Sequence, residues 1–216
     1  MAQFYILASL TGCELLLLTA MSYDRYVAIC NPLHYNMVMT SRICALLAGA
    51  CWVWGFTEVI PHIVILSGFT CYLSREINHF VCDILPLLSL TCSDTSLLDL
   101  SLFTSSVFHS TFSLLLTFIP YIFIVQKILR IPSNNGRRKT FYTCSSHLTV
   151  VTLLYGTLIC QYLRPASKDS LDSSKLFSLF NTAAVPMLNP LIYSLKNEAV
   201  KSSLKRRLKK GTVFDM

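Results

Sequence analysis

Ser101-Leu-Phe-Thr-Ser-Ser-Val-Phe-His-Ser-Thr-Phe-Ser-Leu-Leu-Leu-Thr-Phe-Ile-Pro-Tyr-Ile-Phe-Ile-Val-Gln126 contains no Asp, Glu, Lys or Arg. A run of at least about 18 to 20 mostly apolar residues matches, as a helix, a bilayer core of roughly 30 Å. The stretch 43–67 behaves alike, with Glu58 its single acid and no basic residue after Arg42. The whole 216-residue chain is 53% hydrophobic and 13% charged, where soluble domains carry about a quarter charged residues. The fold class is therefore all-α, a polytopic membrane helix bundle. A membrane β-barrel would alternate polar and apolar residues along each strand, and the leucine blocks at 15–18 and 114–116 do not.

Five spans can be drawn, at 3–23, 43–67, 97–126, 140–162 and 171–195, within one receptor-sized domain over 1–210 that ends in a tail at 196–216. The start does not read as a secretory signal, because no basic segment precedes the apolar run and Glu14 lies inside it. Orientation follows from the cations. One set of loops holds Arg25, Arg42, Lys127, Arg130, Arg137, Arg138, Lys139 and the seven cations of the tail. The other holds only Arg75, Arg164, Lys168 and Lys175, so fourteen of the 18 Lys and Arg lie on the side expected to be cytoplasmic. The C-terminus is then inside and the N-terminus outside. The formal charge of +7 points to topology and an anionic lipid surface; no basic stretch is interleaved with aromatics as nucleic-acid binding requires.

The outer segment 68–96 carries Cys71, Cys82 and Cys92. Three cysteines in one short extracytoplasmic loop indicate disulfide use, with one left over. His79, Cys82 and Asp83 also offer soft-metal ligand types at close spacing, a weaker reading than a disulfide. In the tail, Val200, Leu204 and Leu208 form one apolar stripe among cations, as an amphipathic helix on the inner leaflet would. No phosphate loop, HExxH or Ser-His-Asp set at one membrane depth is present, so no enzyme and no cofactor is expected.

Four segments carry a family likeness. Met21-Ser-Tyr-Asp-Arg-Tyr-Val-Ala-Ile-Cys-Asn-Pro-Leu-His-Tyr35 closes the first span, and Lys139-Thr-Phe-Tyr-Thr-Cys-Ser-Ser-His-Leu-Thr-Val-Val151 opens the fourth. Pro186-Met-Leu-Asn-Pro-Leu-Ile-Tyr-Ser-Leu-Lys-Asn197 closes the fifth, and His79-Phe-Val-Cys-Asp83 with Cys92-Ser-Asp94 marks the outer loop. In this order and at these depths they resemble the signature set of olfactory receptors, a branch of the rhodopsin-like G-protein-coupled receptors. The likeness covers the whole chain and corresponds to the third to seventh helices of that seven-helix fold.

The resemblance assigns roles. Asp24 would hold Arg25 at rest, beside Tyr26 and the Pro32 turn, and release it when the fourth span, entered near His147, swings outward. Asn189-Pro190 with Tyr193 would form a second hinge, since proline removes a helix hydrogen bond. Tyr121 would be the inner-side tyrosine partner, preceded here by Pro120 where the family usually has Ser. Glu14, an intramembrane acid, would face the bundle core, the other acid of its pair belonging to a helix this sequence lacks. The ligand cavity would be lined by Leu7, Ala8, Thr11 and Gly12, by Leu102, Ser105, Ser106 and His109, by Tyr155, Ile159 and Tyr162, and by Leu179 and Thr182. For His109 a hydrogen bond to a ligand oxygen and an interhelical hydrogen bond are both open. Cys71 would pair with Cys92, and the family's partner for Cys82 would fall just before Met1.

The implied function is detection of a small volatile odorant at the plasma membrane, with a stimulatory heterotrimeric G protein docking at Arg25, the 32–35 loop and the 127–139 loop. The rival reading is a non-signalling remnant, retained in the endoplasmic reticulum or pairing with intact receptors; no Asn-x-Ser/Thr sequon occurs in the chain. A small channel or transporter fits less well, because intramembrane charges are few and no repeat is present.

Overall fold

The computed structural model describes residues 1–74, 76–81, 83–162, 170–196 and 202–203, leaving aside the side chains at 139, 143, 161–162, 170–174, 190–191 and 193–196. Among the described residues the regular elements are helical, apart from one isolated bridge between Tyr72 and Thr91. The chain forms two compact units, Met1–Arg137 and Arg138–Met216. Four helical stretches are long and apolar enough to cross a membrane: Ala2–Cys30, Ser41–Ser67, Ser96–Leu129 and Asn134–Cys160.

In the first unit, α1 (Ala2–Cys30) is followed by a 3-10 turn at Pro32–His34 and the single turn α2 (Tyr35–Val38). Proline suits the first position of such a turn, where its missing N–H has no partner to lose. The second stretch comprises two helices, α3 (Ser41–Glu58) and α4 (Ile60–Ser67). The expected uninterrupted span 43–67 is thus corrected to a helix with a break at Val59. Pro61 is the cause: it cannot donate to Thr57, whose carbonyl takes the Val59 N–H instead. Thr40 caps the start of α3 by accepting from the Ile43 N–H at 3.4 Å.

The outer segment is pinned by the Cys71–Cys92 disulfide, with Cα atoms 5.3 Å apart. Around it the Leu73 N–H donates to Leu90 O at 2.8 Å and the Cys92 N–H to Cys71 O at 3.2 Å. A short helix, α5 (Ile84–Leu88), is capped by Asp83, which accepts from the Ile84 N–H at 2.7 Å. Ile84 packs with Phe4, Val59, Leu66 and Leu98 in one buried apolar cluster. Hence α1, α4, α5 and the start of α6 (Ser96–Leu129) share a core at the outer end of this unit.

α1 packs against both α3 and α6. The contact with α3 is backbone to backbone. A Cβ on Gly55 would lie 2.9 Å from the Ser9 carbonyl oxygen and 2.9 Å from the Cys13 nitrogen, so only glycine fits. Small residues at such crossings let membrane helices approach closely. The α1–α6 contact is polar. Thr19 Oγ1 lies 3.0 Å from Thr117 Oγ1, and Ser22 Oγ donates to Thr117 O at 2.6 Å. Each such interhelical bond contributes roughly 0.6 kcal/mol in a membrane.

α6 has its polar side inward. His109, Ser113, Thr117 and Tyr121 are buried at a spacing of four, while Phe103, Phe108, Phe112 and Ile119 are exposed. A soluble helix would bury the phenylalanines. Here hydrocarbon takes the apolar face, and the hydroxyls find partners inside. Pro120 does not interrupt this helix, which continues to Leu129.

In the second unit, α7 (Asn134–Tyr162) begins six residues before the expected span and buries Cys144, Ser146, His147, Val150, Val151, Leu154 and Tyr155. The stretch expected as a fifth span is helical but irregular: α8 (Ser170–Leu179), a π segment (Phe180–Ala184), then α9 (Val185–Lys196). π segments of this kind relocate side chains and often mark functional positions. Most of the tail stripe, including Val200, Leu204 and Leu208, lies outside the described residues.

Candidate functional site

The inner end of the first unit gathers Asp24, Arg25, Tyr26, Pro32 and Tyr35. Asp24 and Arg25 sit in the last turns of α1, so the helix carries the motif past the expected end of the span at 23. Arg25 Nε lies 3.8 Å from Asp24 Oδ2. The other carboxylate oxygen accepts from the Tyr35 hydroxyl at 2.8 Å. That hydrogen bond, together with partial burial and the carboxylate charge, raises the Tyr35 phenol above the ordinary tyrosine range. Tyr26 points elsewhere, edge-on to Phe123 of α6 with ring centroids 5.9 Å apart. Tyr121, also on α6, is buried.

A second constellation lies inside the membrane span. Glu58, the last residue of α3, is hydrogen-bonded through Oε2 to His109 Nδ1 of α6. One helical turn along each element, His62 Nε2 lies 3.0 Å from Ser105 Oγ. The two contacts form successive rungs between antiparallel helices, since Glu58 precedes His62 by four residues and Ser105 precedes His109 by four. Gly12 of α1 forms a third wall: a Cβ there would stand 3.7 Å from His109 Cε1 and 3.8 Å from Glu58 Oε2. His109 Nε2 is buried and has no hydrogen-bond partner among the described residues.

Several residues expected to line a ligand cavity meet here. Gly12 and His109 are in contact range, and His62 brings in Ser105. Ala8 and Leu102 pack instead on the outer apolar cluster. Leu7 accepts, through its carbonyl, from Thr11 Oγ1 at 3.0 Å, a bond within α1. Ser106 is exposed, about a hundred degrees round α6 from Ser105. In the second unit Tyr155 is buried, whereas Ile159, Leu179 and Thr182 are exposed. Thr157 of α7 donates to Asn181 Oδ1 of the π segment, tying those two elements together. The side chains of Tyr162, Pro190 and Tyr193 lie outside those described; Asn189 is half-buried in α9 and His147 is buried in α7.

Glu14 is half-buried in the middle of α1. In the outer loop, Cys82 lies outside the described residues. His79 Nδ1 is 2.9 Å from Val81 O, and Asp83 caps α5, so both take part in local turns.

Glu58 and His62 were not singled out from the sequence. The signal was there for Glu58, the lone acid of its span, by the rule that marked Glu14. For His62 only the spacing of four from Glu58 could have pointed to it.

Comparison with known proteins follows this geometry. A family model described as "Olfactory receptor" matches residues 1–210. The chain is 46% identical to mouse "Olfactory receptor 8U3" over 215 residues, covering 96% of this chain and 67% of the relative. It is 49% identical to mouse "Olfactory receptor 8U9" over 214 residues, covering 95% and 68%. With human "Olfactory receptor 6C1" the identity is 46% over 211 residues, covering 98% and 67%. The chain thus spans about two thirds of the length of these relatives.

Proposed function

Because the chain belongs to the olfactory receptor family, a family of multi-pass membrane receptors rather than enzymes, we propose that it binds small volatile odorants within its helix bundle and signals to a stimulatory heterotrimeric G protein. The observation that carries this reading is the state of Arg25. It lies at the inner end of α1, partly exposed, only 3.8 Å from Asp24, while Tyr35 engages the same carboxylate at 2.8 Å. A cation so loosely held, next to the Pro32–His34 turn, is available to a docking protein. An unpaired carboxylate would pull Arg25 in, and Tyr35 competes with it.

The excess of Lys and Arg on the loops after α1, α6 and α9 orients the chain with its N-terminus outside and its tail in the cytoplasm. In that orientation Asp24, Arg25 and Tyr35 face the G protein, and the disulfide-pinned segment faces the odorant. The plasma membrane is the working location.

The test is a cyclic-AMP assay in cells expressing the full chain and challenged with an odorant panel. A response that Arg25→Ala abolishes, with membrane insertion unchanged, supports the reading. A response unaffected by Arg25→Ala overturns the role of Arg25. Insertion with no response to any odorant favours the second reading, in which the 216-residue product does not signal alone and is held in the endoplasmic reticulum or pairs with longer receptors. That reading draws on the two-thirds coverage of the relatives.

A further inference from the structure

Glu58 and His109 both lie within stretches suited to cross the membrane, and they contact each other there. Among the described residues no Lys or Arg pairs with Glu58; its ion-pair partner is His109. A net charge in a hydrocarbon environment is costly, so the two groups together are held neutral.

Neutrality leaves two arrangements. Either the Glu58 carboxyl keeps its proton and donates to the Nδ1 lone pair, or the carboxylate accepts from Nδ1–H of an imidazolium. A neutral imidazole has one N–H, and in the first arrangement Nδ1 is an acceptor, so the hydrogen is on Nε2. In the second, both ring nitrogens carry hydrogen. The outcome for Nε2 is the same in each: it is a donor. Glu58 therefore fixes the chemistry of the far side of the ring without touching it, as a hydrogen bond to one nitrogen sets the role of the other.

That donor is buried and unsatisfied among the described residues. Buried polar groups are rarely left so, and a solitary exception calls for an acceptor. The neighbouring polar contact is already engaged, since His62 Nε2 is 3.0 Å from Ser105 Oγ, which also donates to Leu102 O at 3.2 Å. The helix wall at Gly12 presents no side chain to compete.

We propose that His109 Nε2–H, fixed as a donor by Glu58, is the polar recognition point of the odorant site. It selects ligands bearing an acceptor oxygen, such as ketones, esters and ethers, over hydrocarbons of the same length. This rests on the odorant-binding reading above and adds the ligand class. One neutral hydrogen bond gives about tenfold tighter binding of a ketone than of the matching alkane.

The experiment uses the full chain in phosphatidylcholine vesicles with ¹⁵N-labelled histidine, read by solid-state NMR. His109 is assigned by the signal lost in His109→Gln. The probes are a panel of aliphatic ketones and esters and the alkanes of equal chain length. The expected result is a protonated His109 Nε2 whose signal shifts with members of the oxygenated panel and not with the alkanes. An Nε2 without a proton overturns the proposal, as does a signal that no ketone or ester shifts, or that alkanes shift equally. Glu58→Gln, nearly isosteric, lets the neutral ring carry its hydrogen on either nitrogen. It should lower Nε2 protonation and reduce the ketone-over-alkane preference several-fold; an unchanged spectrum and preference also overturn the proposal. The measurement needs no G protein. A ketone-specific shift without cyclic-AMP production leaves the ligand class standing and sinks the signalling reading, whereas odorant-evoked cyclic AMP with no shift does the reverse.

Discussion

The Tyr35 hydroxyl donates to Asp24 at 2.8 Å, and Arg25 reaches the other oxygen of that carboxylate at 3.8 Å. The short α2 turn thus holds the acid next to the arginine it would otherwise restrain. Tyr35→Phe removes the stronger partner, and Asp24 should then draw Arg25 closer. The expected outcome is a several-fold weaker odorant-evoked cyclic-AMP response at equal surface expression. An equal or stronger response would show that Tyr35 does not compete for Asp24.

The same contact has a pH signature. The bond to Asp24, helped by partial burial and the carboxylate charge, raises the Tyr35 phenol above its reference value of 10.0. A group whose folded value is raised stabilises the fold at pH below its unfolded value, and the contribution fades as pH climbs through the folded one. The α1–α2 contact should therefore loosen only in strong base. In a spectrophotometric titration Asp24→Asn should bring one tyrosine back toward the ordinary range; a titration curve identical to that of the parent chain refutes the assignment.

Gly55 is the tightest point between α1 and α3. In Gly55→Ala the new methyl meets backbone atoms of Ser9 and Cys13 at 2.9 Å, so the helices must separate. Overpacking of this sort costs about 1–3 kcal/mol, and thermal unfolding in detergent should start at a lower temperature. Gly49→Ala is the control, since nothing lies within 4 Å of its Cβ position. It should be neutral or slightly stabilising, as alanine is the better helix former. Equal midpoints for the two variants would remove Gly55 from the packing argument.

For the loop cysteines the expected result is a Cys71–Cys92 bond that resists labelling and a Cys82 that accepts it. A cross-link closing a loop of this size contributes roughly 3 kcal/mol by chain entropy. Maleimide labelling of non-reduced protein followed by peptide mapping reads both at once. A disulfide from Cys82 to either loop neighbour would contradict the pairing.

Orientation is tested separately, with an epitope tag after Met216. The charge distribution predicts staining only in permeabilised cells, and staining of intact cells would reverse the topology.

The sequence showed the membrane class at once, because a bilayer demands long apolar runs and nothing else in this chain explains them. Span limits were less legible. Hydropathy ended the first span at residue 23, yet α1 runs to Cys30 through Asp24 and Arg25. Charge lowers hydropathy without breaking helix hydrogen bonds. The same effect hid the first turn of α7 behind Arg137, Arg138 and Lys139. Pro61 was visible but its break at Val59 was not anticipated, while Pro120 is accommodated without one. Of the two readings left open for His109, the interhelical bond holds at Nδ1. Glu58 escaped notice as its partner because pairing depends on the register of two antiparallel helices, and register is not a property of either span alone.

The inverted face of α6 reverses the usual rule for which substitutions a helix forgives. Phe103, Phe108, Phe112 and Ile119 meet lipid tails, where one large hydrocarbon side chain serves as well as another. Ser113 and Thr117 are wholly buried against α1, where a methyl in place of a hydroxyl strands the partner oxygen. A mutational scan along α6 should therefore find its bulkiest residues the most replaceable and its smallest polar ones the least, so that residue size read alone would rank its important positions backwards.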